Sequence, residues 1–147
     1  MLAKQLITPY WALRLAFGLV PIVAGLDKFF NLLTNWGQYL SPLAARVLPV
    51  SAPTFMRAAG IIEIAVGIAI LTRLPRLGAY VAAAWLVLIA LNLLTTGAYF
   101  DVAARDVVMA VAAFTLARLE EARQTVTASV PQPAAQASQL TPVRAGL

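Results

Sequence analysis

Ionisable side chains stand in this chain where the surrounding residues are too apolar to suit them. In "MRAAGIIEIAVGIAIL", Glu63 lies near the middle of an apolar segment. In "AGLDKFFNLLTNW", Asp27 and Lys28 close another, and in "YFDVAARDVVMAVAAF", Asp101, Arg105 and Asp106 open a third. An Asp or Lys at the centre of a membrane helix costs about 2.5–3.5 kcal/mol on insertion scales, and an unpaired Glu is similar. Glutamate is too short to carry its charge to a surface roughly 15 Å away, half of a hydrocarbon core. Glu63 must therefore be protonated, paired with a cation, or turned towards an internal cavity. Two kinds of role are open, and they weigh evenly. One is a structural ion pair or a neutral Glu bonded to a neighbour. The other is chemistry, with Glu63 accepting or relaying a proton while Lys28 or Arg105 polarises a carbonyl oxygen.

Much other chemistry is excluded. The chain has no cysteine and no histidine. Thiolate nucleophiles, disulfide exchange, Cys-ligated clusters and Cys/His zinc sites cannot form within it, and His-based acid–base catalysis is absent. No metal site is expected. The chain offers no usual ligand set for a redox cofactor, so a bound quinone is the one cofactor candidate.

The elements that must position these residues follow from composition. Of 147 residues, 61% are hydrophobic and 12% charged, with a mean hydropathy of +0.82. Soluble domains carry about twice that share of charge. We expect an all-α integral membrane protein, a four-helix bundle in a lipid bilayer. Apolar segments run over about 10–30, 54–72, 77–95 and 99–118, each close to the ~20 residues that span a bilayer. "LSP" and "SAP", "RLPRLG" and "TTG" mark the turns between them. Residues 1–118 make one membrane domain. Residues 119–147 are rich in Ala, Pro, Gln, Ser and Thr and read as a disordered or extended tail, helical only near 119–123. Arg14 interrupts the first apolar run, and no small-residue cleavage pattern follows it, so that run is expected to remain as the first span.

Basic residues orient the chain. Lys4, Arg73, Arg76, Arg118, Arg123 and Arg144 fall on the side shared by both termini, against Arg46 alone in loop one. The positive-inside rule then places both termini in the cytoplasm, across a bacterial-type inner membrane. The net charge of +5 belongs to this pattern. No basic cluster interleaved with aromatics is present, so nucleic acid is not an expected partner.

Helical spacing sorts the site candidates. Arg14, Gly18, Pro21, Gly25 and Lys28 recur at steps of four and three and share a face. Gly18 and Gly25 allow close approach of a neighbour, and Pro21 suggests a kink. Gly60 and Gly67 flank Glu63 on a second packing face. A packing seam is the commoner use of such glycines. Arg14 is expected to snorkel to the cytoplasmic surface. Asn92 reads as a helix–helix hydrogen bond, and Asp101 can pair with Arg105 four residues on. Asp27 either pairs with Arg57 or marks the interface with Trp36. Asp27, Lys28, Arg57, Glu63, Asn92, Arg105 and Asp106 share one outer depth. Together they suggest an outer cavity centred on Glu63 with Arg105 or Lys28, the usual form of a small-ligand site.

The stretches "LRLAFGLVPIVAGLDKFF", "RAAGIIEIAVGIAIL" and "TRLPRLGAYVAA" resemble the DoxX family over roughly residues 11–118. Arg14, Gly18, Lys28, Glu63 and Gly67 carry the likeness. The resemblance implies a four-helix membrane bundle associated with membrane redox systems. It supplies no universal catalytic motif, and its cysteine-dependent disulfide branch does not fit a chain without cysteine.

Three functions follow. The first is a small non-catalytic subunit of a membrane redox or respiratory assembly, partnered by other subunits or by copies of itself. The second is a quinone- or lipid-binding oxidoreductase subunit that uses the outer polar cavity. The third is a small transporter or proton relay titrating at Glu63.

Overall fold

The computed structural model describes residues 5–128, and Lys4 and the expected tail from 129 onward, with Arg144, lie outside them. Helix α1 spans Ile7–Phe30. A 3-10 turn over Trp36–Tyr39 and a short helix α2, Pro42–Val47, follow. Helices α3, Ala52–Leu71, α4, Pro75–Leu94, and α5, Phe100–Ala128, complete the order. All regular structure among the described residues is helical.

Local chemistry sets the boundaries. Asn31 ends α1 in the left-handed region, φ 53°, and its N–H returns to the Asp27 carbonyl at 2.6 Å. Asparagine tolerates that conformation better than most residues. Ser41 caps α2, its Oγ accepting from the Ala44 N–H at 3.0 Å. Proline stands in the first turn of α2, α3 and α4, where its missing N–H removes no helical bond. Pro21 lies inside α1, which remains helical through it.

Three helices, α1, α3 and α4, are long and apolar enough to cross a membrane. At 1.5 Å per residue the shortest of them is about 30 Å long. The fourth expected span is different. Its charge-free stretch lies only between Asp106 and Arg118, and α5 does not meet the same apolar criterion. Nor does the helix stop near 123. It continues to Ala128, held by Arg118–Glu121 and Arg123–Glu120 pairs at 2.5 and 3.4 Å. Such i,i+3 pairs lie on one helix face.

The helices pack chiefly as two pairs, α1 with α3 and α4 with α5, joined through α3 and α4. Glycines carry the first pairing. A Cβ on Gly25 would stand 2.5 Å from the Gly60 carbonyl oxygen, and one on Gly60 3.2 Å from the Lys28 Cβ. Gly18 and Gly67 meet in the same seam one turn series away. Backbones this close exclude any side chain at the crossing. Tyr10, Ile70, Leu116 and Ala113 bury the join between the pairs at one end. Residues 31–51, expected as a plain loop, instead fold over the other end.

Candidate functional site

The seam that brings Gly25 against Gly60 also fixes Lys28. One turn after Gly25, its Cβ lies beside α3, and its side chain is 6% exposed. The ammonium Nζ donates to Glu63 Oε2 at 2.6 Å. Trp85 of α4 donates its indole N–H to the other oxygen, Oε1, at 3.3 Å. Of the two cations weighed for Glu63, Lys28 meets it. Arg105 does not: its side chain is 65% exposed and its Nη2 lies 3.5 Å from Asp106 Oδ1. Asp101 is exposed, and Arg105 turns to Asp106 instead of pairing back along the helix.

Asp27 does a separate task. Oδ1 accepts the N–H groups of Leu32 and Leu33 at 2.9 and 3.1 Å, closing the turn after α1. Oδ2 accepts the indole N–H of Trp36 at 2.7 Å. The expected pairing with Arg57 is not formed. Arg57 is exposed and has no ionic partner among the described residues. Local N–H groups lie within a few residues of Asp27, and a carboxylate takes several such bonds at once.

Trp36 links the two neighbours. Its ring, anchored by Asp27, lies over the Lys28 ammonium with Nζ 3.7 Å from the ring centroid. The cation is thus held by a carboxylate on one side and a π face on another. Asn92, expected to bond another helix, clamps the covering segment. Its Oδ1 accepts the Ser41 N–H at 3.0 Å, and its Nδ2 donates to the Tyr39 carbonyl at 2.6 Å. Tyr39 stacks edge-on against Tyr99, 4.9 Å between centroids.

These contacts border a cavity of about 770 Å³, lined by Lys28, Glu63, Trp85, Asn92, Arg105 and Asp106 among mostly apolar neighbours. The volume lies within the range of small-molecule sites. Arg57 and Asp27 are not part of its wall. Gly18, Gly25, Gly60 and Gly67 shape the α1–α3 crossing behind it.

Two site residues had no functional reading in the sequence. The sequence marks Trp36 only as an interface aromatic and does not single out Trp85. An indole N–H away from water needs a partner, and Glu63 is a strong acceptor in the neighbouring apolar run. That pairing was the available signal.

Arg14 reaches the C-terminal end of α3, where its contact with the Thr72 carbonyl is exposed. Its guanidinium donates to the Ile70, Leu71 and Thr72 carbonyls at 2.9, 3.2 and 2.7 Å, and to Tyr10 Oη at 2.8 Å. These carbonyls end α3 and have no helical donors of their own. No family model, curated protein or solved structure matches the chain.

Proposed function

We propose that this chain is a DoxX-like membrane protein that binds an amphipathic small molecule, of quinone or lipid type, as a small subunit of a membrane redox assembly. In this reading its long helices form a four-helix membrane bundle with both termini in the cytoplasm of a bacterial-type cell, and the cavity lies in the outer half. α5 crosses despite its charges because Asp106 turns inward, leaving Val107, Val108, Val111 and Phe114 facing out.

One observation carries the proposal: a buried Lys28–Glu63 pair forms the wall of a largely apolar cavity rather than being sealed in packed side chains. Polar atoms at one place in an apolar volume suit a molecule with a polar head and an apolar body. The exposed Ile61, Val111 and Val108 on the outer faces, 60–68% accessible, suit lipid contact. Residue likeness to DoxX proteins supplies the redox context.

Organic extraction of the full chain purified in mild detergent, followed by mass spectrometry, tests this. The wild type should carry a quinone or lipid at near one equivalent. Ala24→Phe, which fills the cavity wall, should lose it, while the outward Val108→Phe keeps it. Equal retention in both variants would overturn the reading. Co-purifying subunits in the same preparation test the assembly.

A further inference from the structure

Lys28 and Glu63 are already partnered by the protein. Glu63 uses Oε2 for Lys28 and Oε1 for Trp85. The Lys28 ammonium is held between that carboxylate and the face of Trp36. Asp106 is different. It lines the same cavity and is 5% exposed. Its one hydrogen bond among the described residues is from Arg105 to Oδ1 at 3.5 Å. Charge-assisted bonds of this kind are usually ~2.7–2.9 Å, and this guanidinium faces largely outward. Oδ2 accepts no hydrogen bond among the described residues, and no sealed polar side-chain atom among them lacks a partner, so Oδ2 is not sealed off. A carboxylate oxygen in apolar surroundings is costly to leave without a donor.

We propose that Asp106 reads the head of the bound molecule, and that this head carries a hydroxyl or similar hydrogen-bond donor. The inference rests on the cavity being an amphiphile site and narrows what enters it. A donor aimed at Oδ2 completes the Asp106 carboxylate. A head of the same shape that offers only an ether or carbonyl oxygen sets lone pair against lone pair and leaves Asp106 unsatisfied. Sites built around a ligand hydroxyl discriminate strongly against analogues without it. Lys28 and Glu63, paired with each other, contribute polarity to the wall.

A matched pair of probes tests it: 4-decylphenol and its methyl ether, titrated against the delipidated full chain in nanodiscs. The wild type should bind the phenol about tenfold or more tightly than the ether, the equivalent of one good hydrogen bond to a charged group. Asp106→Asn should reduce that ratio to about threefold or less, mainly by weakening the phenol. Val108→Phe, on the outward face of the same helix, should preserve the ratio. Equal binding of the two probes by the wild type would overturn the inference while leaving the amphiphile site intact. An unchanged ratio in Asp106→Asn would do the same. Binding of neither probe would overturn both. The wild-type ratio needs no variant, so a misfolded Asp106→Asn protein leaves the test decisive.

Discussion

Arg14 and Lys28 stand on the same helix, and both turn towards α3. Arg14 meets the bare carbonyls at the C-terminal end of α3, where the helix dipole favours a cation. It is half-buried beside Tyr10 and Ile70, which are 1% and 0% exposed. Lys28 meets a carboxylate in the middle of α3, beside open volume. The first cation completes the backbone. The second forms a charge pair at the edge of a cavity. Similar placement in sequence therefore does not imply similar work. The partner and the neighbouring space decide it.

Three substitutions probe this contrast. Lys28→Met should have the largest effect, about 3–5 kcal/mol of stability, because it leaves Glu63 buried without its cation. Unfolding in detergent measures it, and Lys28→Met with Glu63→Met should recover most of the loss. A single-variant cost near zero would mean that the pair is not buried in solution. Arg14→Met should cost about 1.5–3 kcal/mol, the value of hydrogen bonds from a charged donor, yet leave the bound amphiphile in place. Loss of that molecule from Arg14→Met would erase the distinction between the two ends. Asp27→Asn should cost about 1 kcal/mol, near the net worth of one hydrogen bond. It should also shift the Trp36 fluorescence, since Asp27 anchors that indole over Lys28. An unchanged spectrum in a folded variant would show that Trp36 is held by other contacts.

The apolar runs and their glycine spacing were legible because a helix places residues three and four apart on one face. The need of Glu63 for a partner was legible too, from the cost of a carboxyl in an apolar run. The identity of that partner was not. Lys28 and Arg105 stood at one depth, and only the rotation of α5 turns Asp106 inward and Arg105 out. The covering segment was harder still. Its 3-10 turn and α2 are pinned by Asn92, more than fifty positions away by the Ser41 contact, and no local pattern encodes such a bond. The extension of α5 past 123 rests partly on Tyr80, which donates to Glu121 at 3.0 Å, and on Arg123 packed 4.1 Å over the Tyr10 ring. Composition alone reads those residues as tail.

The sequence by itself determined helices, their apolar faces, the absence of thiol and imidazole chemistry, and a glutamate that could not stand alone. These follow from side-chain type and from period, which are local. Tertiary structure decided which cation answers Glu63, that Asp27 anchors a tryptophan instead of pairing with Arg57, and that Asp106 is buried in the cavity wall. Those outcomes depend on helix rotation and on close approach at Gly25 and Gly60, where backbone contact leaves one geometry for Lys28.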